Sequence, residues 1–514
     1  MALRLNIEQH IDTLPILPNE IWMYISQFLQ KQDLAKAYGL CPFFLDLWMK
    51  AVYTEVILCS MTTPSTVHTL DAMTELAARY VSKLIIRPQF FKTLGQSFLP
   101  YPTEKRTLAE MLRQTFEQLI NTTSRRHDLA LRGLLTKIFQ MTNLKTLVVE
   151  SPQPHASRLS RNTGVLLDAV HSHTIRVEKL DINVPLGRLE DTLVPILPLM
   201  KLQSLSLLLW AESGGAPTES STKQIAQMIS RQSATLQRIA LINTDSRYIC
   251  YIPSILSHLK HLENLKEVSL KLNFDSFATS LSPTGLKHEP FLQTHVEQLK
   301  TLELQFYGPR KHLSFPALFK YPLFKLHFPT LTRLHLFLLA KHPHRAEIPT
   351  DASFTDYFSQ YHSHLEHLTI STRVLCSSEL QEVAVALGGS GSSLLSLKVQ
   401  IDSLEGGILD VLAKNLVSLC KLDLGTPSLC STSDEDGLSL AQKSRNFVQS
   451  MSNCSPSLDS WTLCHLRFYI REYPCWEGIR GVLLSKLPKV ETFNGYSRAD
   501  AMVIDCLSFE SWLT

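Results

Sequence analysis

The sequence predicts an α/β fold. Three short N-terminal helices lead into a solenoid with a curved parallel sheet inside and helices outside. Three observations carry this. A Leu-x-x-Leu-x-Leu pattern, or its apolar equivalent, recurs along most of the chain. Amphipathic stretches at helical period lie between its copies. Residues 17–48 carry a different signature, apolar stripes cut short by capping residues.

The N-terminal stretch comes first. Pro18 suits the first position of a helix, and Glu20 favours the positive end of the helix dipole. Ile21, Ile25, Phe28 and Leu29 form an apolar stripe. Asp33 is a good N-cap for a second helix from Leu34 to about Tyr38, and Cys41-Pro42 opens a third with Phe43, Phe44, Leu47 and Trp48. Three helices of this size cannot bury a core alone, so they either cap the solenoid or dock on a partner.

The repeat then takes over. Copies stand at Val81-Leu84-Ile86, Leu144-Leu147-Val149, Val177-Leu180-Ile182, Leu202-Leu205-Leu207 and Leu236-Ile239-Leu241. They continue at Leu265-Val268-Leu270, Leu299-Leu302-Leu304, Leu331-Leu334-Leu336 and Leu365-Leu368-Ile370. The last are Leu394-Leu397-Val399, Leu419-Leu422-Leu424 and Leu458-Trp461-Leu463, with a degenerate Val490-Phe493. Spacings from residue 144 to 490 run from 25 to 39 residues. Helices are predicted at 163–173, 222–231, 251–261, 354–364, 379–387, 408–416 and 476–487. Residues 88–143 hold helical segments at 108–120 and 129–139 but no strand, so they read as a connection or one degenerate repeat. The polar, acidic stretch 425–443 reads as a surface loop in which Ser433 is a candidate phosphate acceptor, and 503–513 as a capping helix. The resulting domains are 1–60 (helical motif), 61–143 (linking region and first irregular repeat) and 144–514 (solenoid with C-terminal cap).

Composition narrows the function class. The chain is 44% hydrophobic and 19% charged, as expected of a folded soluble protein. A net charge of +3 is too mild to argue for nucleic acid or an anionic membrane. Apolar runs at 205–211 and 334–340 are far short of a bilayer span, and the first residues lack a signal peptide's apolar core. A cytoplasmic or nuclear location is therefore expected. The ten cysteines form no C-x-x-C pair, so reduced thiols are expected and no zinc site.

No catalytic constellation or cofactor motif stands out, and the chain reads as a non-enzyme. Gly388-Gly389-Ser390-Gly391 lacks the frame of a nucleophile elbow or phosphate loop and reads as a flexible turn. The pairs His171/His173, His342/His344 and His362/His364 lack further ligands, and Arg310–His312 and Lys341–Arg345 read as solvated loop edges. The better candidate is the concave face of the sheet. By strand alternation its candidate target-binding residues are Arg238, Glu267, Lys271, Glu303, Arg333 and His335. Lys179, Asp181, Ser269, Thr301, His367, Lys398, Lys421 and Asp423 extend that face. Its mixed charges suit a protein partner better than a metabolite.

Residues Leu17, Pro18, Glu20, Ile21, Ile25, Phe28, Leu29, Asp33, Leu34, Ala37, Leu40, Cys41, Phe44 and Trp48 follow an order that resembles the F-box motif. Leu40 stands where Val is usual and Phe44 where Trp is usual; both keep the apolar character. Followed by leucine-rich repeats with long convex helices, the chain resembles the F-box proteins with leucine-rich repeats. That family usually places an Asn after the third leucine; Asn273 is such a residue, and most repeats lack it. The resemblance implies a substrate-recognition subunit of a Skp–cullin–F-box ubiquitin ligase. Leu17, Pro18, Ile21, Ile25, Leu29 and Leu34 would dock on a Skp-family adaptor, and through it a cullin-RING ligase, while the concave face holds a target protein. The alternative is a leucine-rich-repeat interaction scaffold whose N-terminal helices only cap the solenoid.

Overall fold

The computed structural model describes residues 18–39, 42–59, 73–87, 89–90, 136–138, 140–150, 176–185, 201–210, 219–243, 252–273, 289–307, 319, 322–338, 352–389, 391–426, 428–429, 440–454, 457–470 and 476–501. The chain divides into two compact units, Met1–Pro217 and Thr218–Thr514.

The first unit opens with α1 (Asn19–Ser26), α2 (Lys31–Ala37) and α3 (Pro42–Tyr53). Pro18 sits at the cap of α1, one residue earlier than the sequence predicts. Helix α2 begins before Asp33, which serves as its third residue: the Asp33 carboxylate accepts the Gln30 backbone N–H at 3.2 Å. The acidic side chain thus neutralises an orphan donor from inside the first turn rather than from the cap position. Helix α3 starts at Pro42 as expected.

Thr54 alone separates α3 from β1 (Glu55–Leu58), a strand not anticipated in the sequence. The leading apolar position of its repeat is Tyr53, the last residue of α3, which hid the pattern. Parallel pairing runs from β1 to β2 (Lys83–Ile86), β3 (Thr146–Val149), β4 (Lys179–Pro185) and β5 (Ser204–Trp210). Val56, Leu84, Leu147, Leu180 and Leu205 stand in register, each at most 3% exposed. Because β2 pairs directly with β3, no strand intervenes from the 88–143 connection.

The second unit repeats the plan. Strands β6 (Arg238–Asn243), β7 (Glu267–Asn273), β8 (Thr301–Tyr307), β9 (Arg333–Leu338), β10 (His367–Leu375) and β11 (Ser396–Ile401) pair in parallel. Two short strands, β12 (Ser403–Leu404) and β14 (Ser428–Leu429), pair separately. The main sheet continues through β13 (Lys421–Thr426), β15 (His465–Ile470) and β16 (Thr492–Phe493). A last antiparallel strand, β17 (Tyr496–Ser497), turns back on β16. Ile239, Val268, Leu302, Leu334, Leu368, Leu397, Leu422, Leu466 and Phe493 form one ladder, none more than 2% exposed. Burying one face of every strand fixes the register, since a one-residue slip would expose the whole ladder.

Helices α5 (Glu219–Ser230), α6 (Ile252–His258), α8 (Ala352–Ser359), α9 (Ser377–Leu387), α10 (Gly406–Asn415), α11 (Leu440–Ser452) and α13 (Trp476–Lys486) connect these strands. Shorter turns of helix are α4 (Glu75–Ala78) in the first unit and α7 (Glu289–Gln293) and α12 (Ser457–Ser460) in the second. Helices of successive repeats pack on one another, as α5 does on α6 and α9 on α10. Neighbouring repeats are also joined by polar bonds. Asn264 Nδ2 donates to the Ala234 carbonyl at 2.7 Å, Gln298 Nε2 to Leu262 at 2.7 Å, and Thr330 Oγ1 to Leu299 at 2.9 Å. Thr462 Oγ1 donates to Val417 at 2.7 Å. Different side chains thus satisfy carbonyls between repeats without a regular Asn.

One repeat departs from the sequence pattern. The predicted Leu458-Trp461-Leu463 triplet is not the strand; β15 uses Leu463, Leu466 and Phe468. Leu458 lies on α12, and Trp461 buries its indole, donating Nε1–H to the Leu416 carbonyl at 2.9 Å. The cause is the long repeat between Leu419 and Leu463, whose added helices supply apolar residues at similar spacing. Likewise the predicted loop 425–443 is shorter than expected, because β14 and the start of α11 fall inside it. Residues 430–439 with Ser433, the helices predicted at 108–120, 163–173 and 503–513, and the clusters 310–312 and 341–345 lie outside the described residues.

Candidate protein-docking surfaces

Two surfaces are candidates, one in each unit. On the first, Trp22 of α1 packs edge-to-face on Phe44 of α3 with ring centroids 5.1 Å apart, and Phe44 is 3% exposed. Tyr38 stacks on Trp48 at 4.9 Å. These contacts hold the helices together and turn the predicted stripe outward. Ile21 is 45% exposed and Phe28 70%, and Met23 and Tyr24 are exposed beside them. Ile25 and Leu29 are half-buried, Pro18 is exposed and Leu34 is buried. Leu17 lies outside the described residues. The helical segment is anchored to its own unit: α3 feeds directly into β1, and the Tyr80 hydroxyl, in the turn before β2, donates to Asp46 of α3.

The second surface is the sheet face opposite the leucine ladder. Strand register orders its side chains in rows. Arg238, Glu267, Thr301, Arg333, His367, Ser396, Lys421 and His465 form the first. Ala240, Ser269, Glu303, His335, Thr369, Lys398, Asp423 and Arg467 form the second. Arg238, Glu267, Lys271, Glu303, Arg333 and His335 therefore do share one face. Arg467 and Tyr469, the latter 69% exposed, join it. Neither is expected from the Leu458-Trp461-Leu463 pattern, although the Leu463-Leu466-Phe468 spacing in the same stretch points to both.

Charge is uneven along this face. On β6–β8, Arg238 pairs with Glu267 at 3.5 Å, and Gln305 Nε2 donates to Glu303 at 2.6 Å. On β9–β15 cations predominate: Arg333, Lys398, Lys421 and Arg467 are all exposed, and Lys398 pairs with Asp423 at 3.6 Å. Two histidines lie among these residues, His335 and His367. Burial, then Arg333, His367 and Lys398, hold His335 below its ordinary pKa, with Glu303 opposing. Burial, then Arg333 and Lys421, do the same to His367 against Glu366. In both, burial is the largest cause of the depression, and the neighbouring cations add to it.

Among the described residues no group of His, Cys, Asp or Glu is arranged to hold a metal ion, and no helix is long and apolar enough to cross a membrane. His362 and His364 end in backbone contacts, with the Ser359 carbonyl at 2.9 Å and the Phe328 carbonyl at 3.1 Å.

No protein-family model matches the chain, and no curated protein matches its sequence. Among solved structures it is similar to a chain of a Rad7 and Elc1 complex from yeast, at 14% identity over 72% of this chain and 79% of that one, with a TM-score of 0.38. It is also similar to a chain of a TLR13–ssRNA13 complex, at 12% identity over 82% of this chain and 55% of that one, with a TM-score of 0.26. A sugar phosphate isomerase/epimerase from Parabacteroides distasonis matches 42% of this chain and 82% of its own, at 11% identity and a TM-score of 0.16.

Proposed function

We propose that the chain is a substrate-recognition subunit of a Skp–cullin–F-box type ubiquitin ligase, located in the cytoplasm or nucleus. The N-terminal helices dock a Skp-family adaptor, and the open sheet face of the second unit takes a target protein. The observation that carries the reading is the outward apolar face of α1. Ile21, Tyr24 and Phe28 recur at helical spacing and are 45%, 63% and 70% exposed. Burying each against a partner is worth about 1.5–3 kcal/mol, and such clusters of large apolar side chains mark interfaces. The order of residues resembling the F-box motif supplies the partner's class. The chain contributes proximity and no catalytic group.

A second reading is favoured by the direct passage of α3 into β1: the helices cap the first strand of an interaction scaffold and bind no adaptor. A cap explains why α3 buries Phe44 and Met49 but not why α1 and the turn after it leave Ile21 and Phe28 in water. The deciding experiment is co-purification of the full chain with a Skp-family adaptor, beside an Ile21→Asp/Phe28→Asp variant. Wild-type binding that disappears in the variant, with an unchanged unfolding midpoint, supports the ligase reading. A folded wild-type chain that binds no adaptor ends it and leaves the scaffold.

A further inference from the structure

We infer that Cys420 and Cys464 form a reversible disulfide when the protein meets a hydroperoxide, and that the bond staples the repeat of β13 to the repeat of β15. The first ground is where the backbone puts them. Residues that precede successive strands of the second unit bond to one another, N–H to carbonyl, in a row. Lys266, Lys300, Thr332 and Glu366 occupy this row in earlier repeats; at β13 and β15 two cysteines occupy it in succession. The Cys464 N–H donates to the Cys420 carbonyl at 2.9 Å, and the next residues, Lys421 and His465, are paired in register. Parallel neighbours stand about 4.8 Å apart. That lies inside the ~4.4–6.8 Å between Cα atoms that a disulfide spans.

The second ground is the thiols themselves. Both are free and half-buried. Each reaches back to a carbonyl two residues earlier, Cys420 Sγ to Ser418 at 3.4 Å and Cys464 Sγ to Thr462 at 3.2 Å. The two side chains thus hold the same posture on adjacent strands, and turning them toward each other gives up only weak thiol hydrogen bonds. The pair is also electrostatically in touch: burial, then Glu491 and Cys420, push the Cys464 thiol up against the pull of Lys489. Other thiols are engaged locally, Cys376 with Ser378 Oγ at 3.0 Å and Cys454 with the Met451 sulfur at 3.9 Å. The third ground is the chain between the pair. It holds β13, β14, α11 and α12, so the bond closes this long repeat at its base. Closing a long loop removes freedom chiefly from the unfolded chain.

The chemistry balances with the hydroperoxide as the oxidant. One thiolate takes an oxygen from the peroxide and becomes a sulfenic acid, releasing water or an alcohol. The other thiolate attacks that sulfur, the S–S bond forms, and the oxygen leaves as hydroxide and is protonated to water. Two thiols have lost two protons and two electrons to the O–O bond.

The test treats the reduced full chain with hydrogen peroxide, blocks remaining thiols with N-ethylmaleimide and maps them by mass spectrometry without reductant. A cross-link between Cys420 and Cys464 of one chain is expected, reversed by dithiothreitol. The oxidised chain should unfold about 5 °C above the reduced one. Cys420→Ser and Cys464→Ser should each abolish the cross-link and the rise, whereas Cys376→Ser should keep both. The inference is overturned if both cysteines take up maleimide after peroxide, end as sulfinic acids, or bond to another cysteine or a second copy. A cross-linked chain with an unchanged midpoint, or a rise that survives in both serine variants, would equally overturn it. The wild-type map stands without the variants, so a serine variant that fails to fold does not shield the inference.

Discussion

The His295 imidazole accepts the Leu262 backbone N–H at 2.9 Å through Nε2, linking one repeat of the second unit to the previous one. Its Nδ1 faces the Phe291 carbonyl at 2.5 Å, so the proton sits on Nδ1 and the ring is fixed as one neutral tautomer. The ring is 1% exposed and stacks on His261 with centroids 4.8 Å apart. His295→Ala would leave the Leu262 N–H unpaired beside a cavity, while the Phe291 carbonyl keeps its bond from the Thr294 hydroxyl at 2.8 Å. The expected loss is about 2–4 kcal/mol, read as a lower urea midpoint. An unchanged midpoint would show that water replaces the lost bond.

The same histidine sets a pH dependence. Burial holds His295 below its ordinary value of 6.5, and His335, His364 and His367 are depressed as well. In each case the unfolded chain takes up a proton more readily than the folded one. The stability they contribute is therefore complete above about pH 6.5 and declines as pH falls below it toward their folded values. Urea midpoints should be flat above neutrality and fall on acidification, with a shallower fall in His295→Asn. A midpoint that rises with acid would contradict this.

Trp461 is 2% exposed and spends its indole N–H on the Leu416 carbonyl. Trp461→Ala should destabilise the second unit by about 3–5 kcal/mol. Trp461→Phe, which keeps most of the volume and loses the bond, should cost about 1–2 kcal/mol. Denaturation curves that place the two variants together would argue that the ring's volume contributes little beyond the hydrogen bond.

Gly388 is required by packing more than by flexibility. A methyl group there would sit 2.6 Å from the Ala384 carbonyl oxygen and 2.9 Å from Asn415 at the end of α10. Its neighbour Gly389 has φ +109°, a conformation that L side chains rarely adopt. Gly388→Ala should therefore cost about 1–3 kcal/mol, whereas Gly391→Ala, with open space around it, should be near neutral. Thermal unfolding of the pair decides the point.

Asp46 joins the helical segment to the first unit. Burial pushes its carboxyl up, but bonds from Lys50 and Tyr80 outweigh this and hold it below its ordinary value. The Lys50 contact, at 2.7 Å, is largely exposed, so Tyr80→Phe should cost less than about 1 kcal/mol. Its effect should appear in faster amide exchange across α3. Exchange confined to α1 would place the anchor elsewhere.

The sequence by itself determined the repeat and its ladder. Leucines at fixed spacing have one way to leave water together, on the same face of parallel strands. That is why Leu144-Leu147-Val149 through Leu419-Leu422-Leu424 are all buried as their pattern predicts. It also determined that Arg238, Glu267, Glu303, Arg333 and His335 share a face, since alternation follows from the pleat. Where pattern is ambiguous, only tertiary structure decided. Leu458, Trp461 and Leu463 imitate a repeat, yet pairing with β13 selects Leu463, Leu466 and Phe468. That choice brings Arg467 beside Asp423 and Tyr469 beside Gly425. In α1 the stripe left open whether it capped the solenoid or faced a partner; Trp22 took the contact with Phe44 and left Ile21 and Phe28 outside. Periodicity states which residues lie together; which side meets protein and which meets water depends on packing partners distant in the chain.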